Sequence, residues 1–112
     1  MTVVNIAQRV GFDTERARAA TTFTGSYLAI GSALTVNPVV IVFDNQTDVA
    51  VPISVDGSNV WKTFSAGEAF VLDLRANHGN APNYTIDIGT TFFTNASVGT
   101  SGSMRISIIY AR

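Results

Sequence analysis

Residues 39–74 read VVIVFDNQTDVAVPISVDGSNVWKTFSAGEAFVLDL, and this stretch decides the fold class because turn-forming residues separate short alternating segments in it. Between Val49 and Val55 the large apolar side chains recur at every second position, which is the period of a strand with one buried face. Asp56-Gly57 predicts a turn, since glycine accepts positive φ and aspartate hydrogen-bonds its own backbone. Residues 59–64 then supply the returning strand of a predicted hairpin.

The rest of the chain repeats this pattern of short strands and turns. A β-branched run after Pro38 predicts a buried strand at residues 39–43, because proline cannot donate to a central ladder. Further strands are predicted at residues 69–74, 84–88, 90–94 and 103–110. In the last of these, Met104, Ile106 and Ile108 face one way, and Arg105, Ser107 and Ile109 face the other.

About eight short strands with turn signals between them are typical of an all-β sandwich or barrel. We predict an antiparallel two-sheet β-sandwich, jelly-roll-like or another Greek key, with a small barrel as the alternative. Residues 1–20 are predicted to form an extended N-terminal arm, and residues 21–112 a single β-sandwich domain. The alternatives for the arm are a short helix capped by Asp13 or Thr14 and an ordinary first strand.

The composition excludes several classes of function. Charged residues make up 13% of the 112 residues, about half the usual share, so apolar surface is abundant and assembly into a larger complex is expected. The net charge of −1 gives no attraction for a nucleic-acid backbone. No apolar run is long enough for a membrane span, and the N-terminus lacks the pattern of a standard export signal. We therefore predict no nucleic-acid and no membrane partner.

Candidate catalytic residues are few. His78 is the single histidine and lies in a polar loop, where a solvated side chain is the favoured interpretation. Glu68 and Asp73 could suggest a glycosidase pair, but their spacing along a turn and a strand gives no facing geometry. A second histidine or a nucleophile elbow, which a catalytic serine needs, is missing from the sequence. We predict no enzymatic activity and no cofactor.

Two further groups suggest ligands. Oxygen-bearing side chains of Asp44, Asn45, Thr47 and Asp48 could hold Ca²⁺, but they lack the ligand spacing of the known calcium loop. A turn between strands is favoured there, and no metal site is predicted. Trp61, with the three tyrosines Tyr27, Tyr84 and Tyr110, could form a sugar-stacking platform. A single tryptophan in such a protein more often belongs to the core or to a subunit interface.

Motifs along most of the chain from Phe12 onward resemble those of small virion-associated proteins encoded by tailed bacteriophages. The motifs are Phe12-Asp13-Thr14-x-Arg16, Thr24-Gly25-Ser26-Tyr27-x-Ala29-Ile30-Gly31-Ser32-x-Leu34, Asp44-Asn45-Gln46-Thr47-Asp48, Ile53-Ser54-x-Asp56-Gly57, Ala66-Gly67, Phe70-Val71-Leu72-Asp73-Leu74-x-x-Asn77, Gly89-Thr90-x-Phe92, and Thr100-Ser101-Gly102-Ser103-x-x-Ile106-Ser107-x-Ile109-Tyr110.

This resemblance implies a structural protein of the virion, made in the cytoplasm of a bacterial host. It favours a capsid cement or decoration protein that binds the major capsid protein between capsomers, as a homo-oligomer and most often a trimer. The alternatives are a neck, tail or fibre-anchoring subunit, and a carbohydrate-binding module for a host surface. Seven residues are candidate assembly contacts: Arg9, Phe12, Arg16, Arg18, Trp61, His78 and Tyr84.

Overall fold

A computed structural model of the chain describes residues 10–74 and 86–111. Within these residues the protein is all-β, with almost no helix beyond one 3-10 turn at Ala20–Thr22. The strands are β1 (Val10–Phe12), β2 (Arg16–Ala19), β3 (Leu28–Ile30), β4 (Pro38–Asn45), β5 (Val51–Ile53), β6 (Lys62–Phe64), β7 (Ala69–Asp73), β8 (Phe92–Thr94) and β9 (Ser103–Ala111). No helix in the described part of the chain has the length and hydrophobicity to span a bilayer.

The largest sheet is built around β4 and β9, which pair with each other along most of their length. The free side of β4 pairs with β7, and the free side of β9 pairs with both β1 and β2. Phe12 lies opposite Ile109 and Arg16 opposite Ile106, so β1 and β2 occupy successive parts of one edge. Residues 10–12 and 16–19 of the predicted arm are therefore edge strands, whereas residues 1–9 lie outside the described residues.

Two smaller sheets complete the fold. One pairs β3 with β8, and the other pairs β5 with β6. Ser54 and Phe93 connect them, since each donates its N–H to the carbonyl of the other at 2.9 and 2.8 Å. All of these pairings are antiparallel, as the sequence predicted.

Side chains on alternate positions of β4 and β9 point into the hydrophobic core. Ile41 and Phe43 of β4 are fully buried, and the predicted inward set of β9, Met104, Ile106 and Ile108, is confirmed. The Phe43 ring packs 5.3 Å from Phe64 and 5.7 Å from Phe92, measured between ring centroids. One core therefore joins the largest sheet to both smaller ones.

The predicted hairpin is confirmed in its pairing, with Val51 opposite Phe64 and Ile53 opposite Lys62. Its turn is wider than predicted, because the connection runs over residues 54–61. Ser54 leaves the hairpin to pair with Phe93, and the Asp56 carboxylate accepts the N–H groups of Ser58 and Asn59 at 2.8 and 2.9 Å. These bonds from Asn59 and Ser58 hold the pKa of Asp56 well below its usual range.

One strand prediction is wrong where the structure describes it. Residues 86–88 of the predicted strand 84–88 enter a turn, in which the Thr90 N–H donates to the Asp87 carbonyl at 3.1 Å. Gly89 follows with a φ of +97°, which a β-branched residue would not tolerate. Residues 84 and 85 lie outside the described range.

Candidate functional site

The outward side of the largest sheet carries several exposed apolar side chains, among them Phe12, which is the most exposed large apolar residue of the described part of the chain. Phe12 is 77% exposed, Val71 59% and Val10 43%. Cross-strand pairing places Phe12 beside Ile109, Ile109 beside Val40, and Val42 beside Val71. We call this set the outer face; it consists of Val10, Phe12, Val40, Val42, Val71 and Ile109.

Strand periodicity explains why the side chains of these residues face away from the core. In β4 and β9 the residues between the buried ones must point to the opposite side of the sheet. Val40 and Val42 lie between the core residues of β4, and Ile109 follows the core residue Ile108. Phe12 was predicted as a contact residue, whereas Val71 was not. The sequence signal for Val71 was its position between Phe70 and Leu72: because their side chains face inward, that of Val71 faces outward.

The other end of the same sheet side is polar. The guanidinium of Arg105 donates to the Glu15 carboxylate at 2.7 Å and to the side-chain oxygen of Gln46 at 3.1 Å. The Gln46 amide in turn donates to the Asp44 carboxylate at 2.7 Å. The apolar outer face therefore ends at a hydrogen-bonded group of one basic and two acidic residues with the amide of Gln46 between them.

Arg16, a candidate contact, is instead a buried internal residue with 4% exposure. Its guanidinium donates to the Asp13 carboxylate at 2.7 Å and to the carbonyls of Thr14 and Ala33 at 2.5 and 3.0 Å. A fourth bond runs from Nε to the Ser32 carbonyl at 3.3 Å. The hydrogen bond from Arg16 is also the largest cause that lowers the pKa of Asp13.

Arg18 has a similar internal role. Its guanidinium donates to the Ala29 carbonyl of β3 at 3.1 Å and to the Thr22 carbonyl at 3.5 Å. Arg16 and Arg18 lie on β2, and three of their acceptors, Ala29, Ser32 and Ala33, lie on or just after β3, so the two arginines connect β2 to the β3 segment. All of their hydrogen bonds in the described residues are to acceptors of the same chain.

Trp61 lies on the opposite side of the molecule, beside β6 and β7. Its ring is 5.3 Å from Phe43 and 6.2 Å from Phe70 between centroids, yet the residue stays 43% exposed. The ammonium of Lys62 lies 5.5 Å from the Phe70 ring centroid and 3.3 Å from the Glu68 carboxylate. Trp61 therefore covers the core with one face and meets solvent with the rest.

The candidate calcium loop is a fold element whose oxygens are already bonded. Asn45 is fully buried, and its amide donates to the carbonyls of Val49, Phe64 and Ser65 at 2.9 to 3.0 Å. Its side-chain oxygen accepts from the Thr47 hydroxyl at 2.6 Å. Among the described residues no group of three or more acidic, histidine or cysteine side chains could hold a metal ion.

Asp48 fastens this loop to the loop before β9. Its carboxylate accepts the Thr100 N–H at 3.0 Å, the Ser101 N–H at 3.3 Å, and the Thr100 hydroxyl. These bonds, that from the Thr100 hydroxyl most of all, lower the pKa of Asp48 to about 2. Gly102 follows with a φ of +77°, and a Cβ there would lie 1.9 Å from the Gln46 carbonyl oxygen.

The structure does not bring the predicted contact residues together. Phe12 lies on the outer face, Arg16 and Arg18 lie at the β2 edge, and Trp61 lies near the β7 edge. The remaining three, Arg9, His78 and Tyr84, lie outside the described residues. The outer face is therefore the candidate functional site that the geometry supports.

Comparisons of this chain with protein-family models, with characterised proteins and with solved structures found no match. The resemblance to small virion-associated phage proteins thus remains a prediction from the sequence motifs.

Proposed function

We propose that this protein is a non-enzymatic structural component of a phage virion, a capsid cement or decoration protein that binds the shell between capsomers. The observation that carries the proposal is the outer face, an apolar surface across the four neighbouring strands β1, β9, β4 and β7, with Phe12 77% exposed. Monomeric soluble proteins seldom expose contiguous apolar surface without a partner. The sequence motifs shared with phage virion proteins supply the partner class, the major capsid protein.

The physical role follows from small contacts repeated many times. Burying apolar surface contributes about 25 cal/mol for each Å² removed from water, and the cost of association reduces this gain. A single copy with an outer face of this size would bind weakly. Many copies around a shell would together resist its expansion, because each must detach before neighbouring capsomers can separate.

The architecture we propose for this role is a two-sheet jelly-roll sandwich. Its support is the nested order of pairing: β5 with β6, β4 with β7, β3 with β8, and β9 with the edge formed by β1 and β2. A jelly roll is a long antiparallel hairpin wrapped into two layers, and it produces this nesting. The Ser54 to Phe93 bridge would join the smaller sheets into the second layer.

The outer face, rather than the predicted arginines, is the proposed contact with the shell. Arg16 and Arg18 donate to internal acceptors, so using them for the capsid would break bonds that the fold already makes. The outer face ends at Arg105 and Glu15, so polar groups lie beside an apolar surface, as the rim and the core of a protein interface do.

The proposal is tested by binding of purified protein to phage particles that lack it. We expect saturation at hundreds of copies per particle by quantitative mass spectrometry, and about a tenfold weaker affinity for Phe12→Ser. The matched control is Thr63→Ser on β6, which is exposed but lies away from the outer face and should bind normally. Saturation at a handful of copies would contradict a cement role and favour the neck or tail.

A further inference from the structure

The two sides of the molecule differ in how their sheet edges are covered. On one side the edge strands β2 and β3 are joined by Arg16 and Arg18, which donate to the carbonyls of Ser32, Ala33 and Ala29. The edge of β2 is also short and interrupted, since residues 13–15 separate it from β1. A short, interrupted edge strand and inward-pointing charged side chains both make pairing with a strand of another molecule less favourable.

On the opposite side, β6 and β7 are both edge strands of the part of the chain that the structure describes. Among residues 10–74 and 86–111, no strand pairs with the free side of β7. The Leu74 N–H donates to the Val39 carbonyl, and antiparallel ladders alternate, so Leu72 and Phe70 bond to β4. The N–H and C=O groups of Ala69 and Val71 therefore point to the free edge.

The side chains along this edge are also incompletely covered. Phe70 and Leu72 face the core from β7, yet both are only half-buried. Val71 is 59% exposed on the outer face, and Trp61 beside them is 43% exposed. An additional strand along β7 would satisfy the edge amides and cover these apolar groups in one step.

We propose that β7 pairs in an antiparallel manner with β7 of a second copy of this chain, about a twofold axis at Val71. The sequence of β7 is self-complementary in this register. Val71 lies opposite Val71 of the second copy, and Phe70 lies opposite the half-buried Leu72. The acidic Asp73 lies opposite Ala69, so like charges do not meet across the axis.

The position of the edges explains a twofold rather than a threefold arrangement. A ring of three needs donor and acceptor surfaces on different sides of each copy, whereas an isologous dimer uses the same surface twice. The edges of β6 and β7 lie on one side, as the 6.1 Å distance between the Phe64 and Phe70 ring centroids indicates. The pairing thus differs from the trimer that the phage resemblance implies, and it does not rest on the proposed function.

The dimer should be weak. A single five-residue strand buries less surface than the interfaces of stable complexes, which cover about 1,200 to 2,000 Å² in total. We therefore expect a monomer–dimer equilibrium within concentrations of about 1 μM to about 1 mM, which sedimentation velocity can resolve.

The test compares two single substitutions on the same sheet. Val71→Pro removes an edge N–H that β4 does not use, and we expect it to weaken dimerisation at least about tenfold. Phe12→Ser removes an exposed apolar side chain at the other edge and should leave the dimer unchanged. A monomer at every concentration, a trimer, or a dimer lost in Phe12→Ser but not in Val71→Pro would overturn the inference.

Amide hydrogen exchange on the unmodified chain provides a second measurement that does not depend on how the proline variant folds. Pairing predicts that the N–H groups of Ala69 and Val71 become protected as concentration rises, while protection of Phe70 changes little because it bonds to β4. Protection of Ala69 and Val71 that is independent of concentration would overturn the pairing.

Discussion

At the scale of single residues, buried polar groups hold the fold as specifically as the apolar core does. Arg16 illustrates this, because four acceptors around its guanidinium come from two separate segments of the chain, residues 13–14 and 32–33. Arginine suits such a site, since its planar fork can donate in several fixed directions at once. Its long stem also packs against Gly31, where a Cβ would lie 2.4 Å from the Arg16 Cγ.

We predict that Arg16→Ala lowers the free energy of unfolding by about 3 kcal/mol, because it leaves the Asp13 carboxylate and several carbonyls without their donor. Chemical denaturation followed by circular dichroism measures the change. Arg105→Ala is the matched control, because Arg105 also pairs with an acid but is 41% exposed at its side chain. Its loss should cost less than about 1 kcal/mol; equal losses in the two variants would refute the internal role of Arg16.

At the scale of elements, the loops between strands are fixed by side-chain acceptors for backbone N–H groups. Asp48 is the acceptor for the loop before β9, and Asp56 is the acceptor within the hairpin connection. Because both carboxylates are hydrogen-bonded when ionised, their protonation should release the loops that they hold.

The carboxylate of Asp48 should make the free energy of unfolding depend on pH. Its pKa falls from an ordinary 3.8 to about 2 in the folded protein, so the stabilisation is complete above pH 4 and is lost as the pH falls through about 2. We predict that Asp48→Asn reduces stability at pH 6 and that the difference from the unmodified protein narrows between pH 4 and pH 2. Urea unfolding across this range is the measurement. A constant difference at all pH values would contradict the assignment.

The same elements show how far the sequence could predict the structure. Alternation at β5 and β9 identified the buried faces correctly, since period-two burial is a local property. The internal roles of Asn45 and Arg16 were not predicted, because their partners lie far along the chain, up to 20 residues from Asn45. For the same reason, the wider hairpin connection depends on the contact of Ser54 with Phe93, which no local turn signal contains.

The candidate site was predicted only in part. Phe12 was named as a contact, whereas Val71 was not, and the half-buried valines of β4 were predicted to belong to a buried strand. Which side of a strand faces the core depends on the sheet that covers it, and a run of valines is apolar on both sides. Exposure of the outer face is therefore a property of the assembled sheets.

At the scale of the whole molecule, the aromatic cluster joins sheets that pair separately. Phe43 of β4 contacts Phe64 of β6 and Phe92 of β8, and Trp61 contacts Phe43, Phe64 and Phe70. A core shared in this way should make the three sheets unfold together, because separating any one of them exposes buried side chains of the others.

Trp61 is the single tryptophan of the chain, so its fluorescence reports on this shared core. We predict that unfolding followed by Trp61 fluorescence and by far-ultraviolet circular dichroism gives one coincident transition.

Phe43→Ala should destabilise the protein by about 4 kcal/mol and shift both signals equally, because it opens a cavity among the aromatic rings that the sheets share. Phe12→Ala, at a site 77% exposed, should change stability by less than about 0.5 kcal/mol. Fluorescence and circular dichroism transitions at different denaturant concentrations would mean that the sheets unfold independently.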